Sequence, residues 1–249
     1  MTRLLGAELF KLRTTRTFYG LVGGCLALIY LITVLASALG KHSRGDDVMR
    51  GLMGLAGLAG AFALVLGVLA ITTEFRHGTI TPTLLVAPWR VRLLAAKLAA
   101  AVMTGLVLGL LTTGFVAIAV SLISNARGYP DGSTGSDVVR MVIGGTLASG
   151  LYGALGLGLG AIVRNQVGGI IGGLVFIFVL EPLLRLIPTV GDWIGEYGLG
   201  GTTGSLAFTN SPTADHVLGQ VPGGLLLLGY TTVIVIAGIV LTDRRDVTA

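Results

Sequence analysis

The sequence predicts an all-α integral membrane protein with six transmembrane helices. Three observations carry that reading. The 249 residues have a mean hydropathy of +0.88 and are 53% hydrophobic. Only 12% of them are charged, against ~25% in an ordinary soluble domain. Six stretches are long and apolar enough to cross a bilayer, which takes ~20 helical residues: 18–39, 51–73, 98–123, 141–163, 167–187 and 222–242. None alternates in polarity as barrel strands do. What remains is too short for a soluble domain, so residues 1–249 read as one six-span domain.

Residues 1–17 come first. Leu5, Leu9 and Leu12 share one stripe of a helix, and Arg3 and Lys11 lie away from it. Such a helix either lies in the membrane plane, with its cations on anionic headgroups, or is the positive flank of span one. Span one resembles a signal peptide ending at Ala36-Ser37-Ala38, but its 22 residues exceed the ~7–15 of a signal h-region. It is therefore kept as a span. Cys25 lies within it; a single cysteine excludes an internal disulfide and any cysteine metal cluster.

Glycine is abundant, 40 residues in all, and lets membrane helices approach closely. Small-xxx-small pairs occur at Gly20/Gly24, Gly105/Gly109, Gly168/Gly172, Gly169/Gly173 and Gly219/Gly223. Gly51, Gly54, Gly57 and Gly60 recur every third residue, and Gly156, Gly158 and Gly160 every second. Together they predict a compact bundle and offer an oligomer interface.

Lys and Arg counts set the orientation. With the N-terminus inside, the inner segments hold eleven Lys and Arg and the outer ones five. Both termini are therefore expected in the cytoplasm.

The connection 74–97 is the most informative. Span two ends at Glu74 and Arg76, a pair placed to bind each other or a partner. Gly78 permits a turn, Thr81-Pro82 opens a helix and Pro88 closes it. Trp89, Arg90 and Arg92 then anchor span three at the interface. The short helix 82–87 presents Leu84, Leu85 and Val86. Two turns are not stable alone in water, so the segment either docks on a protein or rests on headgroups.

These residues carry a resemblance that covers essentially the whole chain. The entry segment Glu8-Leu9-Phe10-Lys11-Leu12-Arg13-Thr14-Thr15-Arg16 resembles the permease subunits of bacterial ABC type-2 exporters. So, most sharply, does Glu74-Phe75-Arg76-His77-Gly78-Thr79-Ile80, followed by Leu84-Leu85, Pro88, Arg90 and Lys97. The resemblance implies an elbow helix at the N-terminus and a coupling helix between spans two and three. Glu74, Arg76, Gly78, Thr79, Pro82, Leu84 and Leu85 would contact a cytoplasmic ABC ATPase there. It implies a partner that binds ATP and Mg and a second permease, identical or related. It also implies export, of the multidrug or antibiotic kind among others, across a bacterial plasma membrane.

The connection 188–221 is not a polar loop. Trp193, Ile194, Tyr197, Leu199, Leu206 and Phe208 lie among many Gly and Thr, which fits short helices resting in the outer leaflet. Just before it, Glu181 and Arg185 are the ionisable residues inside a span. Their i,i+4 spacing with Glu first favours pairing. They are either a self-satisfied pair or part of a substrate path. Pro182 beside them predicts a kink.

Catalytic chemistry is not apparent. Gly40-Lys41-His42-Ser43 is only a fragment of a phosphate-binding loop. The three histidines all fall in connections, so neither a nucleophile pair nor a metal cluster forms by spacing. No basic face suits nucleic acid. Two function classes remain: an export subunit driven by a partner ATPase, or a membrane scaffold or sensor with no transported substrate. The docking helix favours the first, because a scaffold needs none.

Overall fold

The computed structural model describes residues 2–40, 48–76, 90–128, 133–210 and 217–244. Its elements are α-helical, with one π-helical turn. They are α1 (Thr2–Thr14), α2 (Arg16–Leu39), α3 (Val48–Ala56), α4 (Leu58–Arg76), α5 (Arg90–Arg127) and α6 (Gly135–Val163). After these come α7 (Gln166–Val175), the π-turn Phe176–Leu180, α8 (Glu181–Arg185), α9 (Gly191–Tyr197), α10 (Leu199–Leu206) and α11 (Gln220–Arg244). Six helical stretches are long and apolar enough to cross a membrane. They match the six expected spans, with ends up to eight residues longer, except that span five stops at Arg185, two residues short of the expected end. The chain thus has the make-up of a multi-pass membrane protein.

Span two is broken where the sequence predicts one helix. Gly57 donates its N–H to Gly54 O at 3.1 Å, and Gly60 donates to Gly57 O at 2.9 Å. The ladder shortens to i→i+3 across the every-third glycines. A Cβ at Gly57 would lie 2.8 Å from Gly54 O, so glycine is required for this tightened turn. Span three runs the other way. At 38 residues it is about 57 Å long at 1.5 Å per residue, longer than a ~30 Å hydrocarbon core. It begins at Arg90, so only residues 77–89 separate spans two and three.

Span five carries the predicted proline irregularity in another form. Pro182 lacks an N–H and its ring crowds the carbonyl four residues back. The helix answers one residue earlier: Glu181 N–H donates to Phe176 O, five residues back, closing the π-turn.

The bundle is arranged around α6, with α4, α5 and α11 packed on it. Leu residues gain little by leaving lipid for protein, so close backbone approach must hold the bundle. Glycines provide it. A side chain at Gly67 would strike Gly153 O, and one at Gly156 would strike Leu64 O. Gly105 and Gly109 lie against Ser149, Gly160 against Val68, and Gly158 against Val235. The Gly105/Gly109 pair is therefore a contact. Gly20, Gly24 and Gly172 have open space beyond them, on spans that are mostly uncovered.

Local signals set the ends. Thr134 and Asp137 form a capping box that starts α6: Asp137 N donates to Thr134 Oγ1, and Thr134 N donates to Asp137 Oδ2 at 3.1 Å. Asn165 Oδ1 accepts from Gly168 N at 2.9 Å and starts α7. Span one is pinned to span three by Tyr30, which stacks on Phe115 at 3.7 Å and donates to Leu111 O at 3.0 Å.

Candidate functional site

Two polar constructions lie at opposite ends of this apolar bundle. One is at the proximal end, where α4 ends and α5 begins. Lys97, 2% exposed, is among the largest fully buried side chains of the protein. Its ammonium donates to Glu8 Oε2 at 2.8 Å and to Glu74 Oε1 at 2.7 Å, with a longer bond to Ala70 O at 3.4 Å. Lys11 donates to the same Glu74 oxygen at 2.7 Å and to Glu8 Oε1 at 3.4 Å. Two carboxylates and two ammoniums thus balance in charge, and they join α1, the last turn of α4 and the first turns of α5. Glu74 Oε2 is buried with no hydrogen-bond partner.

Burial works against the charged form of Lys11, but the carboxylates of Glu74 and Glu8 outweigh it. Its pKa is held above the usual lysine value. All four members come from two segments singled out in the sequence: Glu8 and Lys11 from the entry segment, Glu74 and Lys97 from the connection 74–97.

The structure separates two residues that the sequence offered as a pair. Glu74 turns inward to the lysines, whereas Arg76 donates to Gln166 Oε1 at 3.3 Å on the neighbouring span. Gly78, Thr79, Pro82, Leu84 and Leu85 lie outside the described residues. Lys11, expected away from the leucine stripe, bends back toward the buried Glu8, which lies between Leu5 and Leu9 on the covered face of α1.

At the distal end, α9 and α10 form a helical hairpin from the connection 188–221. Tyr152 is hydrogen-bonded into it through Thr203, with the two hydroxyl oxygens 3.0 Å apart. Tyr152 lies 17 residues into α6, about 26 Å along its axis. Tyr230 on α11 donates to Tyr197 O at 2.7 Å. The hairpin is therefore packed against α6 and α11.

Glu181 fastens it. Its Oε1 accepts from Arg185 Nη2 at 2.8 Å and from Gly200 N at 2.7 Å. The predicted pair is formed, and the same carboxylate also caps the first turn of α10, where the helix dipole favours an anion. Glu181 is buried, Arg185 is partly exposed, and Glu181 Oε2 has no partner. Bare backbone makes room: a Cβ at Gly198 would lie 2.7 Å from Glu181 Oε1, and one at Gly200 would lie 2.6 Å from Arg185 Nη2.

Beside the hairpin is a cavity of about 280 Å³. It lies among the Gly57 break, Tyr152, the π-turn residues Ile177 and Phe178, and the hairpin residues Thr203 and Asn210. Among the described residues no group of histidine, cysteine or carboxylate side chains is placed to hold a metal ion.

No protein-family model matches the chain, and no curated protein matches it.

Proposed function

We propose that the chain is the transmembrane permease subunit of an ATP-driven exporter. In this reading it sits in a bacterial plasma membrane with both termini in the cytoplasm. Two copies, or this chain and a related one, form the path, and separate cytoplasmic ATPase subunits bind ATP and Mg and supply the work. α1 is then the elbow helix, residues 77–89 hold the coupling helix, and the α9–α10 hairpin re-enters the outer leaflet.

One observation carries the reading: the Glu8–Lys11–Glu74–Lys97 cluster. A buried ionic network is seldom the most stable way to fill space; its best-attested use is to fix one arrangement of elements. Here it fixes the end of α4, the start of α5 and the helix α1 across them. Those ends flank the 77–89 segment on both sides. A segment that must transmit force needs such a mount, and a scaffold with no moving partner does not.

The test is capture. The tagged chain, co-expressed with a cytoplasmic ABC ATPase encoded beside it, is expected to retain that ATPase through purification. In lipid vesicles the complex is expected to hydrolyse ATP. A chain that purifies without any ATPase, while folded and inserted, refutes the reading; one permease per complex refutes the dimer.

A further inference from the structure

We propose that the distal cavity is a binding site for a small, neutral, largely apolar molecule that carries one hydrogen-bond donor, such as a phenol or a ring alcohol. None of the described residues that line the cavity is charged, so an ion entering it would lose its hydration without a partner. The volume of about 280 Å³ lies just below the ~300–1,000 Å³ of drug-sized sites. One or two rings therefore fill it.

The demand for a donor follows from counting protons. Thr203 has one hydroxyl proton, and it is committed to Leu199 O. The Tyr152 proton must then go to Thr203 Oγ1. That leaves the Tyr152 oxygen with free lone pairs and nothing to donate. Asn210 is in the same state. Both its amide protons are used, on Ser205 Oγ at 3.1 Å and Gly201 O at 3.4 Å, so its Oδ1 remains as an acceptor. The Thr209 hydroxyl, also in the lining, spends its proton on Gly204 O at 3.4 Å. Tyr152 and Asn210 thus offer acceptors, and a ligand that brings an O–H or N–H completes them.

The way in is apolar too. Ile177 and Phe178 belong to the π-turn, and Phe178 is about half exposed on the outside of the bundle. Entry past these side chains is from the bilayer, where such molecules partition.

The site does not depend on the exporter reading, and its test uses no ATPase. The full chain in lipid nanodiscs is titrated with tritiated 2-naphthol, against empty nanodiscs. 2-Methoxynaphthalene, the same rings without the donor, is the competitor. Saturable naphthol binding is expected, with the ether weaker by about five- to tenfold, the worth of one hydrogen bond. Tyr152→Phe is expected to weaken naphthol by a similar factor, and Tyr152→Phe with Asn210→Leu, which removes both acceptors, to bring the two probes level. Ala61→Phe, which fills the cavity, is expected to abolish saturable binding. Equal competition by both probes on the wild-type chain overturns the proposal, as does discrimination that survives the loss of both acceptors in Tyr152→Phe with Asn210→Leu. A chain that captures its ATPase but does not bind naphthol loses the site and keeps the exporter reading; the opposite pattern keeps the site alone.

Discussion

Lys97→Met tests the proximal cluster most directly. Methionine keeps the unbranched stem and removes the charge. Glu8 and Glu74, both buried, then face each other with only Lys11 between them, and Lys11 is half exposed. Removing one partner of a buried ion pair costs about 3–5 kcal/mol, because the other charge is left stranded. For a chain of this size that loss lowers the melting temperature on the order of 10 °C. The assay is thermal unfolding of the purified protein, followed by size-exclusion, with trypsin as a second probe. Trypsin is expected to cut between residues 11 and 16 once α1 comes loose. Adding Glu74→Gln to Lys97→Met rebalances the charge, and most of the lost stability is expected to return. A Lys97→Met chain that melts with the wild type and resists trypsin equally well refutes the idea that the cluster holds α1 in place. A double variant no better than the single one shows that the lysine acts by shape and not by charge.

Leu84→Asp with Leu85→Asp is expected to insert normally, weaken ATPase capture and lose transport; wild-type capture and transport would show that 77–89 does not dock. Gly156→Ala places a methyl group on the backbone of Leu64 and is expected to cost about 1–3 kcal/mol, whereas Gly172→Ala, with open space beyond it, is expected to lose nothing in the same melting assay. Glu181→Ala takes the shared acceptor from Gly200 and Arg185 and is expected to cost about 1.5–3 kcal/mol. Glu181→Gln is expected to cost less, and an Ala variant as stable as wild type would remove the carboxylate's role in holding the hairpin. The folded chain raises the pKa of Lys11 above 10.5, so the contribution of Lys11 is full below that value and fades as the pH rises through the folded one. Protease resistance of α1 is therefore expected to hold from about pH 7 to about pH 10, and early loss within that window would contradict the assignment.

The spans were legible because a bilayer imposes a length and an apolarity that composition alone reveals. The Glu181–Arg185 pair was legible for a local reason, the i,i+4 spacing. The proximal cluster was not. Glu8 and Lys11 are neighbours at i,i+3, but the links that join α1 to α4 and α5 span 23, 63 and 89 residues, and no local pattern announces them. The one available signal was Glu8, a carboxylate set between Leu5 and Leu9 on the apolar stripe of α1. A charge on a buried face asks for a partner, and Lys97, at the foot of an apolar run, was a free candidate. The every-third glycines in span two were read as packing residues. Their spacing is also that of i→i+3 hydrogen bonds, and at Gly57 the second meaning prevails. The proline of span five announced an irregularity, but proline chemistry does not decide between a kink and a π-turn. Packing does.

The two polar constructions share one helix. α4 carries Glu74 on its last turn and ends against α3 at Gly57, 17 residues away, about 26 Å along the axis. Between these points it lies on α6 through Gly67, Gly156 and Gly160, backbone against backbone. At the closest of these contacts no layer of side chains separates the two backbones, so in the exporter reading α4 and α6 are expected to tilt together. At Gly57 the coupling stops, because the tightened turn separates α3 from the ladder of α4. The cavity is bounded by that turn, by Tyr152 of α6 and by the hairpin that Glu181 holds. In the exporter reading, a push on residues 77–89 acts on the cluster and tilts the α4–α6 pair. The tilt then emerges at the far end as a change between Tyr152 and the hairpin. The acceptors that would hold a ligand's donor lie across that same boundary, Tyr152 on one side and Asn210 on the other. Displacing one from the other weakens the grip on a bound molecule without any change in the lining itself.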